Sequence, residues 1–149
     1  MGIFAGLDVI KVPGVTGYFD TNYEGKADYA LASLKDHDFV VIHVEAPDEA
    51  GHIGDCGLKV RAIEDLDERL VSRVLRGLEG DYTIAILPDH TTSTASKRHE
   101  REPVPFAIFS TNQSRRQEAE RFDEVSIRKA SPEIMQGMDF LSLFFSQGK

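Results

Sequence analysis

Residues 39–52 read Phe-Val-Val-Ile-His-Val-Glu-Ala-Pro-Asp-Glu-Ala-Gly-His, and the fold that we expect follows from this segment. It begins with an apolar run, which is typical of a strand covered on both faces, and continues into a polar segment that contains Asp48 and His52. These two residues are four positions apart, so one turn of helix would place a carboxylate oxygen and an imidazole nitrogen on the same side. The stretch therefore predicts a buried strand at residues 39–44 that is followed by a pair of metal-ligand side chains.

A second strand is followed by a similar pair. Residues 58–78 repeat apolar side chains at helical spacing and predict the most regular helix of the chain. Residues 83–87 form another apolar run that ends at Pro88, and Asp89 and His90 follow directly. Because the carboxyl ends of parallel strands meet at one edge of a sheet, we expect the two Asp/His pairs to face a common crevice.

The remaining pattern is that of a mixed α/β domain. Thr21 and Glu24 fit a capping box, which predicts the start of a helix that runs to about residue 35. Strands that alternate with helices indicate a three-layer α/β/α fold with a mostly parallel sheet. We further predict a strand at 6–12, a polar loop at 91–102, a strand at 106–109, a loop or solvated helix at 112–121, a strand at 125–129 and a helix at 140–145 behind Asp139.

Composition bounds the class of protein. A chain of 149 residues with 41% hydrophobic and 28% charged residues predicts one folded globular domain. The formal net charge of −8 is spread along the chain, which argues against a nucleic-acid partner. The sequence shows neither an apolar run long enough to span a bilayer nor a signal peptide, and the single Cys56 cannot form an internal disulfide. We therefore expect a cytoplasmic protein with no membrane partner.

The side chains at the predicted sheet edge suit a divalent cation. His99 adds a third histidine to the two pairs, and carboxylate oxygen with imidazole nitrogen, without thiolate, suits manganese, zinc, cobalt or magnesium. An isolated Asp or His at a strand end is more often a cap or a hydrogen-bonded loop residue, but two pairs at equivalent strand ends favour the metal site. His43, inside the first strand, is expected to be a buried structural histidine rather than one that orients a ligand.

The loop around His99 leaves two interpretations open. Lys97, Arg98 and Arg101 could donate charge-assisted hydrogen bonds to a substrate phosphate, or they could be solvated and balanced by neighbouring glutamates. The hydroxyl groups at residues 91–96 have no activating neighbour in the sequence, which makes them poor candidates for a nucleophile. The sequence thus predicts ligands for a metal but no catalytic nucleophile.

At these residues the chain resembles the C-terminal part of the archaeal-type cofactor-independent phosphoglycerate mutases, which belong to the alkaline phosphatase superfamily. The resemblance covers nearly all of the chain, through the segments at 6–14, 43–52, 88–90 and 103–106. Adjacent residues on an extended strand point apart, so the second pair can share an ion only if the chain turns after Pro88. The resemblance implies an alkaline-phosphatase-like core and two divalent ions, the first held by Asp48, His52 and His99 and the second, incompletely, by Asp89 and His90.

In that family the two ions activate a serine, which takes a phosphoryl group from one hydroxyl of phosphoglycerate and returns it to the other. The serine and a further metal-binding Asp belong to an N-terminal part without a counterpart in this sequence. We therefore expect a single C-terminal metal-binding domain with at most one complete metal site, little mutase activity of its own, and open surfaces that favour self-association. Two other interpretations remain: a fragment of another metallo-phosphatase or phosphopentomutase of the superfamily, and a non-catalytic α/β interaction module.

Overall fold

The computed structural model describes residues 2–112, 119–130 and 134–147. The chain divides into two compact units. The first unit is Met1–Leu78 with Thr92–Arg98, and the second unit is Glu79–Thr91 with His99–Lys149.

Helices make up most of the first unit. A 3₁₀ turn, Gly2–Ala5, is followed by α1 (Tyr23–Ser33), α2 (Ala46–Ile53), α3 (Cys56–Asp65), a π-helical segment (Leu66–Val71) and α4 (Ser72–Gly77). The helix predicted at 58–78 is confirmed, and its periodic apolar face supplies Leu70, Val71 and Val74 to the core. The other buried apolar side chains come from α1, α2 and α3: Tyr23, Ala27, Ala30, Ala46, Ala50 and Ala62.

Charged side chains also hold α1 against the helical segment that follows α3. Arg69 donates two hydrogen bonds to Glu24, with Nε 2.7 Å from Oε1 and Nη2 3.0 Å from Oε2. Arg73 makes the same two-pronged contact with Asp28. These planar pairs fix the register between the two helices, because a bidentate guanidinium–carboxylate contact has little freedom to slide.

The second unit contains the longer strand pair. β1 (Thr83–Ile86) and β4 (Ala107–Ser110) pair antiparallel, from Thr83 opposite Ser110 to Ile86 opposite Ala107. Two short strands, β2 (Thr91–Ser93) and β3 (Arg98–Glu100), form a separate two-stranded sheet, and the helices α5 (Glu124–Ala130) and α6 (Gly137–Ser146) complete the chain. The Phe140 ring of α6 packs edge-on against Phe106, with 5.4 Å between the ring centroids.

The α/β class is confirmed, and so are the strands at 83–87 and 106–109 and the terminal helix. The predicted strands at 6–12 and 39–44 are wrong for the described residues, and the strand pairing seen in β1 and β4 is antiparallel rather than parallel. Residues 39–45 are covered on one side only, since Val41 and His43 are exposed while Ile42 and Val44 are half-buried. An apolar run indicates burial, but a strand also needs a neighbour to receive its backbone hydrogen bonds.

Three local predictions are corrected by side-chain contacts or hairpin geometry. Residues 91–102 are not only a loop, because they contain β2 and β3. Residues 125–129 are helical, since the Asp123 carboxylate accepts a 2.7 Å hydrogen bond from the Ser126 backbone N–H and so starts α5. The cap of α1 is Asn22 rather than Thr21, because the Asn22 side chain accepts from the Gly25 N–H at 2.8 Å.

The end of the chain differs in smaller ways. The N-cap of α6 is Gln136, and Asp139 lies within the first turn of the helix instead of before it. Most of the segment predicted as a loop or solvated helix at 112–121 lies outside the described residues. Within the described ranges, every helix is too short or too polar to cross a lipid bilayer.

Candidate metal centre

Helix α2 brings Asp48 and His52 together as their spacing predicts. Pro47 lies at the start of the helix, where its missing N–H costs no hydrogen bond, and Gly54 ends it in the left-handed region with φ of 82°. Asp48 falls in the first turn and His52 in the last. Their side chains face each other, with 3.4 Å between Asp48 Oδ2 and His52 Nε2.

The distance between these two atoms suits two ligands of one cation. Atoms bonded at about 2.0–2.1 Å to a tetrahedral ion lie about 3.3 Å apart. Both side chains are about one-third exposed, at 31% for Asp48 and 38% for His52, so solvent and an ion can reach them. The pair therefore has the spacing and the access that a metal ligand pair requires.

The tautomer of the neutral His52 ring follows from its other contact. Its Nδ1 lies 3.1 Å from the backbone carbonyl oxygen of Lys97. A carbonyl oxygen only accepts, so in the neutral ring Nδ1 carries the proton and Nε2 presents its lone pair toward Asp48. Hydrogen bonds of this kind are typical of metal-binding histidines, because they fix both the tautomer and the ring orientation.

The Asp48 carboxylate is also held by a side chain that belongs to no motif in the sequence. The hydroxyl of Thr92, which is buried, donates a hydrogen bond to Asp48 Oδ1. The other oxygen, Oδ2, is the one that faces His52. Thr92 is a poor candidate for a nucleophile in the sequence, and no local pattern predicts its contact, because it lies 44 positions from Asp48.

Close backbone packing makes this contact possible. A Cβ atom at Gly51 would lie 2.7 Å from the Thr92 carbonyl oxygen and 2.8 Å from its Cγ2. Glycine at this position therefore lets residue 92 approach the face of α2 that carries the ligands. The Lys59 ammonium donates to the same carbonyl oxygen from α3, so the position of Thr92 is fixed from two helices.

The second predicted pair lies after β1 in a different arrangement. The chain bends at Asp89 and His90, which brings Asp89 Oδ2 within 3.5 Å of His90 Nε2 although the residues are adjacent. The Asp89 side chain is 69% exposed. The His90 ring stacks on the His99 ring with 3.7 Å between centroids and 32° between planes.

Asp48 and His52 supply two of the three ligands that the sequence predicts for one cation. His99, which belongs to the second unit, stays a prediction as the third. Together the three residues offer one carboxylate oxygen and two imidazole nitrogens, which is a donor set that zinc and other first-row divalent ions accept. The α2 pair thus fits a divalent ion by both donor chemistry and separation.

Other candidates from the sequence have different surroundings. His43 is not buried, since its side chain is 64% exposed and its Nδ1 lies 3.8 Å from Glu45 Oε1. Its backbone carbonyl instead accepts a 2.7 Å hydrogen bond from Lys26, and burial lowers the pKa of that lysine. Lys97 lies in the turn between β2 and β3 with φ of 58° and bonds through its backbone N–H to Ser93. Its role toward a phosphate remains a prediction.

Comparison with known proteins shows the family of the chain. The family model of the metalloenzyme superfamily matches residues 1–138, and the chain belongs to that superfamily. The solved structure of the PH0037 protein from Pyrococcus horikoshii superposes with a TM-score of 0.89 at 32% identity, covering 95% of this chain and 43% of that one. The fold is therefore shared with a much longer protein.

Curated relatives narrow the class further. The chain is 49% identical over 146 residues to the 2,3-bisphosphoglycerate-independent phosphoglycerate mutase of Methanosarcina acetivorans. The aligned region covers 96% of this chain and 37% of the relative. It is 46% identical over 149 residues to the probable enzyme of the same name from Geobacter sulfurreducens, again over 37% of the relative. The chain spans little more than a third of the length of these relatives.

Proposed function

We propose that this chain is the metal-binding portion of a 2,3-bisphosphoglycerate-independent phosphoglycerate mutase, and that it holds a divalent cation through Asp48, His52 and His99. The observation that carries the proposal is the α2 pair, whose ligand atoms lie 3.4 Å apart and whose side chains are each oriented by a second hydrogen bond. The identity of 46–49% to mutases over nearly the whole chain supplies the reaction class.

The residues of the chain contribute orientation and charge. Asp48 supplies a negative oxygen at the first turn of α2, and His52 supplies a neutral nitrogen whose tautomer is set by the Lys97 carbonyl. When bound, a divalent ion such as manganese, zinc, cobalt or magnesium lowers the pKa of a coordinated nucleophile and neutralises charge on a phosphoryl group. Asp89 and His90 would supply two of the ligands of a second ion, which needs further ligands from elsewhere.

The substrate and the nucleophile follow from the same proposal. Phosphoglycerate would be the substrate, with its phosphoryl group moving between the 3- and 2-hydroxyl oxygens by way of a serine outside these 149 residues. We accordingly expect the purified chain to bind a metal but not to interconvert 3-phosphoglycerate and 2-phosphoglycerate. A cytoplasmic location and self-association through exposed apolar side chains such as Phe4 and Met138 remain predictions.

The proposal is tested by titrating the metal-free chain with Mn²⁺ or Zn²⁺ in a calorimeter. We expect one ion to bind to the wild type, and His52→Ala to weaken that binding by about 100-fold because a direct ligand is lost. His37→Ala is the matched control, because His37 is also a half-exposed histidine near a carboxylate but belongs to a different site. Equal affinity in all three proteins would contradict the proposed metal site.

A second assay addresses the reaction. The purified chain, saturated with Zn²⁺, is incubated with 3-phosphoglycerate, and the formation of 2-phosphoglycerate is followed by phosphorus NMR. We expect no turnover above the metal-only blank. Substantial turnover would show that the nucleophile lies within this chain and would contradict that part of the proposal.

A further inference from the structure

Thr92 occupies an unusual position for a hydroxyl residue. It is only 3% exposed, yet its hydroxyl donates to a carboxylate oxygen of the solvent-accessible residue Asp48. Because an ionised carboxylate accepts hydrogen bonds at both oxygens, a donor fixed at Oδ1 restricts rotation of the whole group. The hydroxyl therefore determines which oxygen faces His52.

The surrounding contacts make Thr92 itself rigid. The Lys59 ammonium donates a hydrogen bond to the Thr92 backbone carbonyl. A Cβ atom at Gly51 would lie 2.7 Å from the Thr92 carbonyl oxygen and 2.8 Å from its methyl carbon, so residues 51 and 92 pack closely. The same segment, Thr92–Arg98, supplies the Lys97 carbonyl that orients His52. Segment 92–98 thus contacts both α2 ligands, Asp48 through the Thr92 hydroxyl and His52 through the Lys97 carbonyl.

From this geometry we infer that Thr92 is a positioning residue that holds Asp48 as a one-oxygen ligand, with Oδ1 occupied by the hydroxyl and Oδ2 directed at the cation. The inference rests on the proposed function, since it assumes that Asp48 and His52 bind an ion. A carboxylate released from this hydrogen bond can rotate and offer both oxygens, which adds a ligand atom and favours the longer, more flexible bonds of larger hard cations. Thr92 therefore affects both the affinity and the geometry of the site.

The test compares Thr92→Val, which keeps the shape but removes the hydroxyl, with Thr92→Ser, which keeps the hydroxyl. Thr94→Val removes a hydroxyl from the same segment and is the matched control. Co²⁺ is the probe, because calorimetry gives its affinity and its visible absorption weakens as the coordination number rises. We expect Thr92→Val to lose at least about 10-fold in affinity and to show weaker visible absorption, and Thr92→Ser to stay within about 3-fold of the wild type with the wild-type spectrum.

The outcomes separate the two proposals. A wild-type chain that binds no Co²⁺ overturns the metal site and, with it, the role of Thr92. Tight binding by the wild type and Thr94→Val, together with an unchanged affinity and spectrum in Thr92→Val, overturns only the role of Thr92. Far-UV circular dichroism checks folding, and if Thr92→Val does not fold, the same loss and spectral change are expected from Thr92→Ala, where wild-type binding would again overturn the inference.

Discussion

The two units of the chain differ in how many apolar side chains they bury. Nine buried apolar side chains belong to the first unit, on α1, α2, α3, the π-helical segment and α4, whereas Pro105 is the buried apolar residue in the described part of the second unit. Both units present large apolar side chains to solvent, such as Phe4 in the first and Met138 in the second. The Asp/His pairs follow the same division, since Asp48 is held by a buried hydroxyl whereas the Asp89 carboxylate is largely exposed.

The difference between the two pairs shows that ligand spacing alone does not make a metal site. Both pairs bring an oxygen and a nitrogen to about 3.4–3.5 Å, but only the first pair lies on a helix packed into a core. Burial of supporting groups restricts the rotamers of the ligands, which lowers the entropy lost when an ion binds. The comparison predicts that small changes in the packing of the first unit have large effects.

The largest effect is expected from Gly51→Ala. The added methyl group would lie 2.7 Å from the Thr92 carbonyl oxygen, so either α2 or segment 92–98 must move. Overpacking against a backbone atom costs about 2 kcal/mol, which should appear as a lower urea midpoint with an unchanged slope. The displaced Thr92 should also weaken Co²⁺ binding.

Gly57→Ala is the control for this prediction. It adds the same methyl group to α3 of the same unit, where the nearest atoms are the Asp55 carboxylate oxygen at 3.4 Å and an Arg61 nitrogen at 3.7 Å. Ordinary contact distances and the higher helix propensity of alanine predict an unchanged or slightly raised stability. Equal stability of the two variants would show that α2 and residue 92 do not pack closely.

Sequence patterns predict the features of the molecule that depend on residues close together in the sequence. The apolar period of residues 58–78 and the four-residue spacing of Asp48 and His52 are local, so both were readable before the structure. Thr92 and the Lys97 carbonyl contact α2 from 44 and 45 positions away. Contacts between residues this far apart produce no periodic pattern in the sequence, so they could not be predicted from it.

The incorrect strand at 39–44 has the same origin. Its apolar residues indicate contact with other groups, but the existence of a ladder depends on a partner strand that the run does not specify. The antiparallel pairing of β1 with β4 was missed for this reason as well. Short capping contacts such as Asp123 with Ser126 were readable in principle, because Asp three residues before a backbone donor is a common helix start.

A smaller and opposite effect is expected from Tyr23→Phe. Tyr23 is fully buried in the first unit. Its hydroxyl has no hydrogen-bond partner among the residues that the structure describes. Burial, followed by the nearby Asp65 charge, raises the pKa of this hydroxyl. Removing it should stabilise the chain by about 1 kcal/mol, since the ring keeps its contact with the Arg69 guanidinium, 5.0 Å from the ring centroid.

Tyr29→Phe provides the comparison on the same helix. Tyr29 is 42% exposed, so its hydroxyl loses little hydration on folding and its removal should leave the urea midpoint unchanged. A Tyr23→Phe protein less stable than Tyr29→Phe would mean that the buried hydroxyl makes a favourable contact, such as with a buried water. That result would weaken the view of the first unit as a dry, self-sufficient core.

The smallest effect concerns the second unit, at the start of α5. The Asp123 carboxylate accepts hydrogen bonds from the Ser126 backbone N–H and hydroxyl, and the backbone contact is the main reason why the pKa of Asp123 is lowered. A carboxyl whose pKa is lower in the folded state stabilises that state above its unfolded pKa of about 3.9 and loses the contribution as the pH falls through the folded value. Exchange of the Ser126 amide proton should therefore accelerate as the pH falls through the folded-state pKa of Asp123.

Asp123→Asn separates the charge from the cap, because the amide oxygen can still accept from Ser126 but does not titrate in this range. We expect the acceleration of Ser126 exchange, measured by NMR relative to a tripeptide at each pH, to disappear in this variant, while the amides of α2 show no difference between the two proteins. An effect that spread to α2 would mean that the two units unfold together. An effect confined to α5 would support the contrast between a unit with its own core and one in which α5 is held by its own capping contacts.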